Sequence, residues 1–368
     1  MSEPLVTFAL FAYNQERFIR EAVRGALSQT YSPLQILLSD DCSSDGTFEA
    51  IKEEVAGYDG PHRVLLNRNE HNLGIGGHVN RLMELADGEF IVAAAGDDIS
   101  LPTRTTDLVE VWSKGRALSV YSDCTIIDED GAYMGVGADL AGNKLTLPAR
   151  ESWREKARSG TMRGLGGGHS WDRAVFDVFG PLPEDVVCED TTIPFRAALL
   201  GEVSFLDRRL IRHRRHDTNV WSPREGHLGK ELEQFVEHQA RIRRTFRKNC
   251  ESWLCDLRLL ASRRPEMAPD LRRAAEDVAA WIEFYRSTES ALRNGGPARL
   301  PDLLHTIRRV RRLGLEPVVR ASLLSLSPVT CCRAQRWLHL KSSAVKQVVK
   351  SKLKPSPGRT LPTARNPR

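Results

Sequence analysis

The stretch Phe90-Ile91-Val92-Ala93-Ala94-Ala95-Gly96-Asp97-Asp98 constrains this chain more than any other. The apolar residues between Gly88 and Gly96 read as a short strand buried on both faces. Such a strand belongs inside a sheet covered on both sides, the layout of α/β folds. Two adjacent carboxylates stand where the strand ends, and in open α/β sheets ligands bind beyond the carboxyl ends of the strands. Asp97 and Asp98 therefore either share a hard divalent cation with substrate phosphates or merely solvate the turn before the helix that Pro102 begins.

The preceding residues repeat the pattern. Leu5–Ala12 reads as a buried strand ending at Tyr13-Asn14, and a helix follows over about 18–29 with Ile19, Val23, Ala26 and Leu27 as its apolar stripe. Gln35–Ser39 is a second strand, ending in another carboxylate pair, Asp40-Asp41. A helix over 47–56, a strand at Arg63–Leu66, and a loop from Asn67 to Gly77 feeding a helix to Ala86 lead up to Phe90. Strands alternating with helices through short connections imply a parallel sheet sandwiched by helices. Ala117–Ser122 reads as a further strand and Ile126–Val136 as a hairpin turning at Asp130-Gly131. A poorly patterned segment then runs to Arg158, followed by the glycine-rich loop Gly164–Gly168 and a short helix at 172–178. A helix from Cys188-Glu189-Asp190 to Leu200 and a last strand at Glu202–Leu206 complete the alternation.

Past Trp221 the character changes to Arg-rich amphipathic helices, expected over roughly 227–290, 298–313 and 330–350, and the Pro/Lys/Arg-rich end is expected to be disordered. The charge is divided accordingly. Residues 1–230 carry 25 Lys/Arg against 35 Asp/Glu, net −10, whereas residues 231–368 carry 28 against 13, net +15. A basic C-terminal third suits an anionic surface, or is the solvated face of packed helices. No apolar run approaches the roughly 18 residues of a membrane span. Seven scattered cysteines form no disulfide framework or zinc spacing, and charged residues interrupt the only apolar segment near the N-terminus, so a reduced, cytoplasmic protein is expected.

Taken together, the motifs resemble the family 2 inverting glycosyltransferases of GT-A fold. The resemblance rests on Tyr13-Asn14, Ser28-Gln29-Thr30-Tyr31, Asp40-Asp41-Cys42-Ser43-Ser44-Asp45-Gly46-Thr47, Asn72-Leu73-Gly74 with Asn80, Ala86-Asp87-Gly88-Glu89, Gly96-Asp97-Asp98 and Glu189-Asp190, over about residues 4–220. It implies a GT-A catalytic domain at 1–222, with 223–350 as a helical C-terminal region and 351–368 as a basic tail. It also implies a nucleotide-sugar donor, UDP- or dTDP-linked, an acceptor that is a glycan or a lipid-linked glycan, and a setting in bacterial surface polysaccharide synthesis.

The same resemblance assigns roles. Asp41 contacts the base while Asp40 orients the turn. Tyr13, Asn14, Asn72 and Gly74 belong to the nucleotide site, with Thr7, Ala9 and Phe11, or else Leu10 and Ala12, lining the end of the first strand. Asp98 ligates Mg²⁺ or Mn²⁺, and Asp97 contacts the ribose or a metal-bound water. Asp190 is the general base, with Glu189 in reserve; helix-terminal acids paired with the dipole are the structural alternative. In Arg208–Asn219, His216 is a metal ligand, Arg214 holds the diphosphate and His213 is structural. His169 and Trp171 frame the acceptor pocket, where Trp171 either stacks on a sugar or is buried in the core. Relatives often carry a basic residue just before Asn80, where this chain has Val79, leaving Arg81 as the substitute.

Three rivals fit less well. Gly74-Ile75-Gly76-Gly77 lacks the third glycine of a dinucleotide fingerprint, since position 79 is Val. A sugar nucleotidyltransferase opens with a Gly-rich basic loop after its first strand, where this chain has Phe11-Ala12-Tyr13-Asn14-Gln15. A non-enzymatic adaptor using the basic C-terminal helices leaves the edge carboxylates unexplained. No nucleic acid partner is expected; the C-terminal helices either associate peripherally with the inner face of a membrane or pair in a homodimer.

Overall fold

The computed structural model describes residues 3–115, 117–136, 152–160, 168–217, 219 and 232–294. The expected helices at 298–313 and 330–350, the tail, and Gly164–Gly167 lie outside them. Strands β1 (Val6–Ala12), β2 (Leu34–Asp40), β3 (Arg63–Arg68) and β4 (Phe90–Ala95) pair in parallel in the order β3-β2-β1-β4. β1, β2 and β4 are near-continuous apolar runs because helices cover both their faces. On one face lie α1 (Ile19–Leu27), α2 (Thr47–Val55) and α4 (Arg104–Trp112), around a core that includes Phe8, Leu10, Ile36 and Val92. The other face carries α3 (Gly74–Leu85), α6 (Ala174–Phe179) and α7 (Glu189–Leu200) over Ala9, Leu37, Ile91 and Trp171.

Beyond β4 the sheet becomes mixed. Residues expected to be loop form β8 (His169–Asp172), which runs antiparallel between β4 and β6 (Ala117–Ile127). Its four residues are too short for a periodic signal, and its burial is set by neighbours distant in sequence. β6 turns back into β7 (Tyr133–Val136), as the Asp130-Gly131 turn predicts. β9 (Glu202–Arg214) pairs in parallel with β6 and continues eight residues past its expected end at Leu206, reaching the two-residue strand β5 (Ile99–Ser100). Asp207, Arg208, Arg209 and Arg212 leave Leu210-Ile211 as the only apolar pair in this half of the strand, so it carries no period-two pattern. α3 starts at Gly74 rather than after Gly77. α5 (Trp153–Ser159) occupies the end of the segment that read as unpatterned.

The helix expected over 227–290 is two helices, α8 (Leu232–Arg263) and α9 (Ala268–Asn294), broken at Pro265 and folded into a hairpin. The hairpin shares its core with the layer of α3, α6 and α7. Trp253 stacks on Phe195 of α7 with ring centroids 4.3 Å apart, and Trp281 fills the space left by Gly160 after α5. At Gly160 φ is +56°, and an added Cβ would meet the Trp281 indole at 2.5 Å. Arg196 of α7 and Asp256 of α8 form an ion pair at 2.9 Å, with side chains only 3% and 4% exposed. No helix among the described residues is long and apolar enough to cross a membrane.

Candidate active site

The parallel strands β1, β2 and β4 end on one edge, which brings Tyr13-Asn14, Asp41 and Asp97-Asp98 together. α7 reaches the same edge from the other direction. It ends at Leu200, just before Glu202 pairs with Ala117 at the start of β6, and β6 runs parallel to β4 because β8 is antiparallel to both. Twelve helical residues span about 18 Å, so Glu189-Asp190 stand at the carboxyl edge of the sheet.

Asp40 is fully buried and accepts hydrogen bonds from the backbone N–H and hydroxyl of Ser43, fixing the turn that Cys42 enters with φ +59°. Asp41 anchors the next loop: Oδ1 accepts from Asn69 Nδ2 at 2.8 Å and Leu73 N at 2.9 Å, and Oδ2 from Gly74 N at 3.1 Å. Asn72 Oδ1 also accepts from Gly74 N, whose φ of +70° suits glycine. Asn14, at φ +52°, accepts from Ser44 N at 2.8 Å, so the first two turns are stitched together, and Tyr13 beside it is 48% exposed.

Under Asp41 lies a cluster that sequence reasoning missed. Ser39 Oγ bonds His78 Nε2 at 2.7 Å and accepts from Asn67 Nδ2 at 2.9 Å, with Phe11 edge-on to the imidazole. Burial lowers the His78 pKa. The signal available was a histidine on the apolar face of a helix that follows a ligand loop. Val79 is a core residue, Asn80 locks the loop at Leu182 through reciprocal hydrogen bonds of 2.8 and 2.7 Å, and Arg81 pairs with Glu84 on the surface.

Thr7 does not belong to this site. It lies at the amino end of β1, about 16 Å down the strand from Ala12. There it donates to Gln35 Oε1 at 2.6 Å and accepts from Gly88 N at 2.9 Å. Its hydroxyl locks the opposite edge of the sheet.

Gly96 lets the β4 turn pass close to β1: a Cβ there would lie 2.5 Å from Gln15 Oε1 and 2.9 Å from the Ala12 Cβ. Beyond it, Asp98 is gripped by β9. Its carboxylate bonds His213 Nδ1 at 3.1 Å and accepts from Arg214 N at 2.9 Å. The carboxylate beside it pushes His213 up to about 9. His213, expected to be structural, is thus a direct partner of the acidic pair. Asp97 Oδ2 meets His216 Nε2 and Asn219 Nδ2, each at 3.0 Å, and Phe18 packs on the His216 ring at 4.5 Å. The structure therefore brings His216 together with Asp97-Asp98.

Arg214 departs from its expected role. It is buried, and its guanidinium donates to the Asp97 carbonyl at 3.0 Å, to the Glu129 carbonyl at 3.0 Å and to Glu21. It braces the turn from behind, with its donors committed to protein groups rather than turned toward a diphosphate. Arg104, also missed, supports the same arch from below through the Ala93 carbonyl at 2.6 Å and Ser100 Oγ at 2.8 Å.

A divalent cation fits the donor set of this turn. Among the described residues no group of three His, Cys, Asp or Glu is arranged to hold an ion unaided. Two carboxylates with an imidazole beside them instead suit Mg²⁺ or Mn²⁺ whose remaining ligands are substrate phosphates.

Glu189 is buried beside Asp190, and desolvation followed by the neighbouring charge pushes its carboxyl up to about 8. At neutral pH Glu189 holds a proton. His169 is fully buried with neither ring nitrogen partnered, and burial pushes it down to about 3. A neutral imidazole supplies no charge to a diphosphate. Trp171 is a core residue packed against Phe176, with Nε1 3.3 Å from Met83 Sδ, so it presents no open face to a sugar.

Known proteins resemble parts of this chain in sequence and most of it in fold. Residues 7–165 match the sequence model of the family described as Glycosyl transferase family 2. EpsE of Bacillus subtilis is 33% identical over 131 residues, covering 35% of this chain and 46% of EpsE. UDP-Glc:alpha-D-GlcNAc-diphosphoundecaprenol beta-1,3-glucosyltransferase WfgD of Escherichia coli is 29% identical over 146 residues, covering 40% of this chain and 54% of WfgD. The chain thus spans about half the length of the curated relatives it matches. Residues 1–349 of S. aureus TarS superpose with a TM-score of 0.51 at 15% identity, covering 92% of this chain and 89% of that one, a likeness of fold. The parallel sheet with its acidic edge is a GT-A fold, and residues 7–165 carry the sequence pattern of glycosyl transferase family 2.

Proposed function

We propose that this chain is an inverting glycosyltransferase that moves a sugar from a nucleoside-diphosphate donor, UDP- or dTDP-linked, to a hydroxyl of a glycan or lipid-linked acceptor in bacterial surface polysaccharide synthesis. The observation that carries the reading is the meeting of three acidic motifs, Asp41, Asp97-Asp98 and Glu189-Asp190, on one edge of the sheet. WfgD, by its name, acts on a diphosphoundecaprenol-linked sugar with a UDP-linked donor, which supports the acceptor and donor classes.

Each group has a physical part. Asp41 is held rigid by three donors and keeps acceptor capacity for the imide N–H of uracil or thymine. Tyr13, Asn14, Asn72 and Gly74 stand in the turns that adjoin Asp41 and would complete the nucleotide site. Asp98, Asp97 and His216 would hold Mg²⁺ or Mn²⁺, which when bound supplies positive charge against the departing diphosphate. Asp190 takes the proton from the acceptor hydroxyl as its oxygen attacks the anomeric carbon and the bond to the diphosphate breaks, inverting the configuration. Glu189, whose carboxyl is pushed up to about 8, is protonated at neutral pH and so unsuited to accept the proton, which favours its neighbour Asp190 in that role.

The test is a thermal-shift and turnover screen of UDP-, dTDP- and GDP-sugars with Mn²⁺. Binding and diphosphate release with a UDP- or dTDP-sugar are expected, both lost with EDTA. Asp98→Asn should lose turnover while melting near wild type. Wild-type turnover in EDTA rejects the metal role, and binding of no nucleotide-sugar rejects the function.

A further inference from the structure

Glu189 and Asp190 open α7, yet the N-cap residue Cys188 makes no side-chain hydrogen bond to the helix. Within α7 the Thr191 and Thr192 hydroxyls both reach the Cys188 carbonyl, and the C-terminal hairpin adds a further hold on the first of them. Asn249 of α8, fully buried, donates from Nδ2 to Thr191 Oγ1 at 2.9 Å. Thr191 Oγ1 donates in turn to the Cys188 carbonyl at 3.0 Å, and Asn249 also hydrogen-bonds the Cys188 side chain. The flanking contacts repeat the theme. Lys248 Nζ pairs with Asp185 at 2.6 Å in the loop entering α7, and one turn along α8 Trp253 stacks on Phe195. From the opposite side Gly76 N donates to the Val186 carbonyl at 3.2 Å, where an added Cβ would lie 2.6 Å from the Pro183 carbonyl. The carboxylate pair is thus clamped between α3 and α8, and Asn249 is the polar contact of α8 nearest to it in sequence position along α7.

We propose that Asn249 is a positioning residue for the general base: through Thr191 and Cys188 it fixes the direction in which Glu189 and Asp190 face the Asp97-Asp98 turn. The inference rests on the reading of Asp190 as base. An uncapped helix start is free to fray, and its first-turn side chains swing with it. A base must meet the acceptor hydroxyl within hydrogen-bond reach, and a misplacement of about 1 Å costs on the order of 10²-fold in rate. The hairpin, remote in sequence from the family 2 segment, thereby acts on the chemical step.

Full-length Asn249→Ala, Thr191→Val and Thr191→Ser, with Asp190→Asn as the reference, test this. The assay is steady-state release of nucleoside diphosphate from the UDP- or dTDP-sugar that the wild type turns over, with UDP binding in Mn²⁺ measured by calorimetry. Asn249→Ala and Thr191→Val should each lower kcat by about 10²-fold with donor KM and UDP affinity held near wild type. The double variant should be no worse than either single change, and Thr191→Ser, which keeps the hydroxyl, should restore kcat. Wild-type kcat in folded Asn249→Ala and Thr191→Val overturns the proposal, as does a loss shared equally by UDP binding. Thr191→Val preserves shape, so it carries the test if Asn249→Ala does not fold; failure of both to fold makes the contact structural and also overturns it. Retained turnover in Asp190→Asn instead rejects the base assignment itself.

Discussion

Replacing Glu189 by Gln separates the two carboxyls of the α7 pair. Glu189 is 6% exposed, and burial together with the Asp190 charge raises its pKa from 4.5 to about 8. Between those values the folded protein keeps a proton that the unfolded chain has released. The associated stability is therefore full below 4.5, falls as pH rises, and is gone once pH has passed through about 8. Each pH unit well inside that window is worth up to about 1.4 kcal/mol, and the approach to the midpoint near 8 brings the total between pH 6 and 8 to roughly 2 kcal/mol. Gln carries no titrating proton and resembles the protonated acid in shape. The unfolding free energy of Glu189→Gln relative to wild type should therefore grow by about 2 kcal/mol over that range in urea titrations at pH 6, 7 and 8. His213, raised to about 9 by Asp98, adds a slope of the same sign in both proteins and cancels in the difference. Turnover of Glu189→Gln at pH 7 should stay near wild type. Parallel stability curves for the two proteins would refute the burial argument, and loss of turnover would make Glu189 the base.

Asp190→Asn should lower kcat by about 10²–10⁴-fold with donor binding little changed, measured by steady-state kinetics and calorimetry. Asp256→Ala leaves Arg196 buried without a counter-charge, held by the Gly180 and Pro181 carbonyls and the Phe176 and Phe179 rings, and should destabilise the fold by about 3–5 kcal/mol in urea unfolding. A change under about 1 kcal/mol, the value of a surface pair, would show that the Arg196–Asp256 contact is hydrated. The basic residues beyond Gly296 should give salt-sensitive binding to anionic liposomes that a truncation at Gly296 lacks. Equal sedimentation of the two proteins would assign those residues to packing or oligomerisation.

Local pattern determined much of this protein. The apolar runs of β1, β2 and β4 are buried on both faces whatever packs on them, so they read directly as strands of a covered sheet. The turns that follow must carry polar residues, and that is where Asp41 and Asp97-Asp98 appear. The acids opening α7 were legible for the same reason, as charges at the start of a helix.

What only the tertiary structure decided is who meets whom. Thr7 and Phe11 share one strand and one face, but the end at which each lies puts Thr7 in a lock with Gln35 and Phe11 beside His78. Arg214 and His213 are neighbours in a basic run. β9 pairing with β6 and β5 turns the guanidinium of Arg214 inward to brace the Asp97 carbonyl and leaves His213 on Asp98. Trp171 entered the core because β8 was drawn between β4 and β6. The hold of Asn249 on the turn before Asp190 joins residues 58 positions apart, counting from Thr191. Periodicity reports that a side chain is buried, but its partner depends on contacts between segments remote in sequence, and those exist only once the chain has folded.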